Sequence, residues 1–214
     1  KGRVLAMEVL NNNYAVSNLI RHVVLDAGCP ALLASLQTKG EHLLPRITSN
    51  ATGIAMRSLA AGKLSSLEWH LFDDVTIRLG KAPLIVCDSA VQTTTTLDAD
   101  VLSGIERYGR CALVAIDHSE LLGIASNTGS RSPTALREIC CELKLMARRR
   151  DCAVMLVEST NLCGSLVDMI PEADVILELR RTGRCSRDGR DERCEIRVLK
   201  QQIGRAASQG YRMK

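Results

Sequence analysis

Cys111–Asp117 reads CALVAID, six uncharged residues closed by a carboxylate. An apolar run this short, ended by a charge, predicts a strand covered on both faces, as in the middle of a parallel sheet. Working outward, the same pattern recurs at Arg3–Met7 (RVLAM), Pro83–Cys87 (PLIVC), Ala153–Val157, Ala173–Leu179 (ADVILEL) and Cys194–Leu199 (CEIRVL). Helical spacing fills the intervals. Val16, Leu19, Ile20, Val23 and Val24 fall on one helical face, and Pro30 and Gly40 bracket a short piece with Leu32, Leu33 and Leu36 that also reads as helical. Further helices are predicted over Arg46–Leu59, Leu64–Leu79, Asp98–Tyr108 and Pro133–Arg149, with Ser65 or Ser66 and Glu68 as a start signal for the second of these. Arg180–Arg193, rich in Arg, Gly and Asp, reads as the loop of a hairpin.

Strands alternating with helices predict an α/β domain, a mainly parallel β-sheet flanked by helices, with an antiparallel hairpin at the C-terminal end. The 214 residues fit one domain with a real core. With 28 Lys+Arg against 24 Asp+Glu, the net charge of +4 permits phosphate-backbone binding without demanding it. Aromatics make up 2% of the chain, which leaves little for base-stacking platforms. The nine cysteines include no C-x-x-C pair, so a zinc ribbon or dithiol redox motif has no support, and a reducing, cytoplasmic setting is expected. No apolar run reaches the ~20 residues needed to span a membrane.

In open α/β sheets ligands bind beyond the carboxyl ends of the strands. The polar residues there are Glu8, Asp88, Asp117, Glu158 with Ser159, and Lys200. Asp117 is placed to hold a magnesium ion against nucleotide phosphates, or simply to cap the turn that follows. Glu8 closes the first strand in the same way, as a water-polarising base or as a solvated charge. The two are expected to converge at one rim. Lys200 could reach a phosphate or snorkel from an edge strand. Arg148–Arg150 needs only the helix dipole to explain it. Of the four histidines, His118 alone sits at such a rim, directly after Asp117. No G-x-x-x-x-G-K-[ST] is present; Gly62-Lys63 is followed by Leu64 and preceded by no strand.

The order of these stretches resembles the C-terminal, RecA-like ATPase domain of DnaB-like replicative DNA helicases. Val4–Val9 (VLAMEV) resembles the family strand ending in S-L-E-M, with Glu8 on the catalytic glutamate. Arg46–Trp69 resembles the helical segment with an Arg-Ile start, Thr-Gly, Gly-x-Leu-Ser and a Trp. Leu113–Leu122 (LVAIDHSELL) resembles V-I-D-Y-L-Q-L, and Leu136–Arg148 resembles the helix carrying I-S-x-x-L-K-x-L-A. ADVILELRR and EIRVLKQQIG resemble A-D-x-x-x-x-x-Y-R and the closing K-Q-R-x-G.

The resemblance implies a single motor domain over 1–214 that lacks an N-terminal portion, with the phosphate-binding loop before Lys1 and 11–45 as a helical insertion. It implies ATP and Mg2+ as cofactors and ATP hydrolysis coupled to translocation on single-stranded DNA. The expected assembly is a homo-oligomeric ring, a hexamer, with a helicase loader or primase as partner. Glu8 would orient water, Asp117 organise the metal, Lys200 reach a neighbour's site, and Arg181 lie near the base. Ser159 falls on the sensor glutamine and Gln202 on the arginine of K-Q-R. These last two departures keep open a second reading, a catalytically degenerate ring-assembly protein without its own ATPase activity.

Overall fold

The computed structural model describes residues 2–9, 13–89, 91–123, 133–159, 166–181, 194–202 and 211–213. The first strand, β1 (Arg3–Val9), leads to α1 (Asn13–Arg21), which continues as a wider π-helical turn over His22–Asp26. Then come β2 (Ala31–Ser35), α2 (Gly40–Thr52), α3 (Met56–Ala61), α4 (Ser66–Lys81), β3 (Leu84–Cys87) and α5 (Thr94–Tyr108). The chain continues through β4 (Leu113–Asp117), α6 (Pro133–Arg150), β5 (Ala153–Ser159), α7 (Leu166–Met169), β6 (Val175–Arg181), β7 (Cys194–Gln201) and β8 (Tyr211–Met213).

The strands form one eight-stranded sheet in the order β3-β2-β4-β5-β1-β6-β7-β8. β3 through β6 run parallel, and the β6–β7 and β7–β8 pairs are antiparallel. The α/β class, the mainly parallel sheet and the C-terminal antiparallel pair therefore match the sequence reading; the hairpin loop itself, 182–193, lies outside the described residues.

Alternate residues of each strand feed two cores. Val4, Ala6, Leu32, Ala34, Val114, Ile116, Val154, Leu156 and Ile176 pack on α5 and α6, through Leu97, Val101, Ile139 and Leu143. Leu33, Ala115, Met155, Val157 and Leu179 pack on α1 and α2, through Val16, Ile20, Leu43 and Ile47. This three-layer arrangement explains why the central strands carry apolar residues on both faces, with polar ones confined to their ends.

It also corrects two readings. The Pro30–Gly40 piece is not helical: Ala31–Ser35 is β2, hydrogen-bonded between β3 and β4 and buried throughout. Its leucines are close enough in sequence to imitate a helical face, and a short apolar run carries no period that separates the two forms. The 11–45 stretch is thus part of the sheet architecture rather than a helical insertion beside it. The single helix expected over Arg46–Leu59 is two, because Gly53 adopts a left-handed φ of 74° and ends α2. Ser65 and Glu68 form a complete capping box at the start of α4, as its sequence signalled.

Candidate nucleotide-binding site

Asp117 ends β4, and only 4% of its side chain is exposed. In register it lies level with Ser35 of β2 on one side and Val157 of β5 on the other. Val157 belongs to the core layer beneath α1 and α2, so Asp117 shares that face of the sheet. Ser35 donates its hydroxyl to the Thr38 carbonyl at 2.6 Å, turning the chain sharply as β2 ends. His118 follows in a left-handed conformation (φ 59°), rare for a residue with a β-carbon, and its Nδ1 lies 3.2 Å from Asp117 Oδ1.

Glu8 lies at the same rim but does not meet Asp117. β5 separates their strands, and Met7, not Glu8, is level with Val157 and hence with Asp117. Position 8 also belongs to the pleat set of Val4 and Ala6, which packs on the α5–α6 side. The two strand ends thus lie at one rim, on strands separated by β5 and one residue out of phase in register. Register instead gives Glu8 the neighbours Glu158 and Glu178.

The strand that does flank β4 on the other side is β2, and it runs out as Ser35-Leu36-Gln37-Thr38. This stretch matches the first two letters of S-L-E-M more closely than Val4–Val9 does, with Gln37 at the glutamate. The match becomes visible in the sequence once Ala31–Ser35 is a strand. Gln37 is exposed and borders a cavity of about 1110 Å³ between α2, α3 and α4.

The remaining candidates are dispersed. Lys200 is on β7, with β6, β1 and β5 between it and β4, and its Nζ donates to the Pro171 carbonyl. Gln202 is exposed just beyond β7, and its backbone N–H donates to the Asp174 carbonyl at 2.9 Å. Ser159 ends β5 level with Val9, and Arg181 ends β6 level with Cys194. Residues 124–132 and 160–165 lie outside the described residues.

A phosphate cradle needs a strand, a glycine-rich turn with a lysine, and a helix N-terminus. β1 and α1 supply strand and helix: α1 packs on α2 and β4, on the face that carries Asp117. The connection between them reads Leu10-Asn11-Asn12, with neither glycine nor lysine. Gly62-Lys63 ends α3 and Gly80-Lys81 ends α4, so neither follows a strand. Asp117 is suited to a magnesium ion held directly or through water, whereas residues 10–12, outside the described residues, offer neither a glycine nor a lysine to a triphosphate. Among the described residues no group of three or more His, Cys, Asp or Glu is arranged to hold a metal ion by itself.

Comparison with known proteins places this arrangement. The model of the family "DnaB-like helicase C terminal domain" matches residues 13–161, well over half of the chain. The chain belongs to the DnaB-like helicase C-terminal domain family. The match takes in β2 and the Asp117 rim together, in keeping with β2 as an integral strand. The chain is 22% identical over 172 residues to "Replicative DNA helicase DnaB" of Buchnera aphidicola subsp. Baizongia pistaciae (strain Bp), covering 80% of this chain and 36% of that protein. It is 25% identical over 166 residues to "Probable replicative DNA helicase" of Guillardia theta, covering 78% of this chain and 27% of that protein. The chain thus spans about a third of the length of these curated relatives.

Among solved structures it superposes on "ATPase Domain of G40P" with a TM-score of 0.78 and 18% identity, over 98% of this chain and 80% of that one. A second DnaB-family neighbour, "The Structure Of A DnaB-Like Replicative Helicase And Its Interactions With Primase", gives 0.77 and 18%, over 99% of this chain and 54% of that one. The RecA-like ATPase fold is shared. Among the described residues no helix is long and apolar enough to cross a membrane.

Proposed function

We propose that this chain is a ring-forming replicative-helicase domain whose own nucleotide site does not hydrolyse ATP. The observation that carries this reading is the end of β2. Ser35-Leu36-Gln37 lies beside Asp117, at the place where a glutamate would orient the attacking water. A carboxamide is uncharged at pH 7 and takes no proton from water, so the general-base step is lost. The Leu10-Asn11-Asn12 connection supports the same reading, since it offers no lysine to counter phosphate charge. Gln202 and Ser159, in place of an arginine and a glutamine, add to it.

In this reading the domain occupies a position in a homo-oligomeric or mixed ring, with six subunits as in the family scheme. It sits in the cytoplasm around single-stranded DNA, with a loader or primase as partner. Lys200 is offered to a competent neighbour's γ-phosphate, and Arg181 lies near that site's base. A second reading, an ATP- and Mg2+-dependent motor, draws on one observation: Asp117 is retained and buried at the rim.

ATP turnover separates the two. With Mg2+ and single-stranded DNA, the protein is expected to show no DNA-stimulated hydrolysis, and to co-purify with an active helicase of the family. Stimulated turnover that disappears in Asp117→Ala would establish the motor and end the degenerate reading.

A further inference from the structure

The amino-terminal rim of the sheet, opposite Asp117, gathers positive charge from three separate elements. Arg3 opens β1 and is level with Ala153, the first residue of β5. Arg110 lies just ahead of β4, whose Leu113 is also level with Ala153. The Ala153 N–H donates to the Ala112 carbonyl at 3.0 Å, which fixes the Arg110 segment against the start of β5. Arg150, the last residue of α6, completes the set. All three line a cleft of about 580 Å³, in which Asp151 is the only carboxylate among the described residues.

These guanidinium groups differ in their engagements. Arg150 is clamped by Asp98, with Nε and Nη2 donating to the two carboxylate oxygens at 2.9 and 3.0 Å. Its position is fixed and its charge largely met. Arg3 and Arg110 are exposed and pair with no described carboxylate; Arg110 Nη2 donates to Cys29 Sγ at 3.4 Å, a neutral acceptor that leaves the charge unmet. A basic helix end needs no explanation beyond the macrodipole. That account covers Arg148, Arg149 and Arg150, but not two arginines on other elements. Asp151 in the lining and Asp98 on Arg150 meet part of this charge, and the three arginines still leave the cleft net positive.

We propose that this rim is a second nucleic-acid contact, in which Arg3 and Arg110 grip the phosphodiester backbone beside the fixed Arg150. Guanidinium forks suit phosphate oxygens, and the nearly aromatic-free cleft would read charge rather than base. The inference is independent of nucleotide hydrolysis, which is read by a different assay.

The test is fluorescence anisotropy with the full chain and labelled 20-nucleotide single-stranded and 20-base-pair duplex DNA across a salt series. Arg3→Glu/Arg110→Glu is compared with a control of equal charge change on the α3 end, Arg57→Glu/Lys63→Glu, each checked by circular dichroism. We expect the rim variant to bind at least one DNA form about tenfold more weakly at ~0.1 M salt. Its log–log salt slope should be shallower by roughly 1.5–2, the loss of two phosphate contacts. The DNA form that shows the loss identifies the strand gripped. An unchanged affinity and slope, an equal loss in the α3 control, or no DNA binding by the parent protein would each overturn the proposal.

Discussion

Replacing Asp174 by Ala tests whether one carboxylate ties four elements of the sheet together. Its Oδ2 accepts the Val4 N–H at 2.8 Å, and its Oδ1 accepts Lys144 Nζ at 3.0 Å. Through its backbone it donates to the Val4 carbonyl and accepts from the Gln202 N–H, both at 2.9 Å. β1, α6, β6 and the end of β7 therefore meet at this residue. Alanine keeps the backbone bonds and removes both side-chain ones. The Val4 residue is fully buried, so its orphaned N–H costs about 1–3 kcal/mol. Lys144 keeps its bond to the Glu172 carbonyl and has 20% of its side chain exposed, so loss of the ion pair adds only about 1 kcal/mol. The expected total is roughly 2–4 kcal/mol, read as a lowered urea midpoint with unchanged slope.

The same residue fixes a pH dependence. Burial pushes the Asp174 carboxyl up, but the Val4 N–H and Lys144 outweigh it and hold it below the ordinary 3.8. A depressed carboxylate stabilises the fold above its unfolded pKa, and that contribution is lost as pH falls through the lower folded value. The gap between parent and Asp174→Ala should thus be widest near neutral pH and shrink below about pH 3.8. A loss under ~0.5 kcal/mol at pH 7, or a gap that grows on acidification, would refute the reasoning.

Two further outcomes follow from burial. Leu33→Ala on β2 should cost about 2–5 kcal/mol in chemical denaturation, since Leu33 is fully buried between two layers; a cost below ~1 kcal/mol would show that the segment is not a central strand. In native alkylation at pH 8 followed by peptide mass spectrometry, exposed Cys141 should react well ahead of Cys87, Cys140 and Cys152. Burial pushes those three thiols up to about 12, so early labelling of any of them would count against the packing.

How much was legible in the sequence turns on the pleat. CALVAID could be placed because its apolar residues and closing Asp117 define a strand and its rim at once. α4 could be started at Ser65 because a capping box is a local signal. β2 is harder to recognise, since Ala31–Ala34 is apolar on both faces for the same reason that most of CALVAID is, yet the strand ends in Ser35 rather than a charge. Without β2, Glu8 is the acidic strand end that a linear sequence offers beside Asp117, and nothing in it states that positions 8 and 117 fall out of phase in register. Parity across paired strands states it: Asp117 is level with Val157, Val157 with Met7, and Glu8 is one residue out of phase. A register shift of one residue exchanges the faces of a strand. The chemistry at this rim therefore depends on what stands beside Asp117: register puts Ser35 of β2 there, with the exposed amide of Gln37 two residues further along the chain.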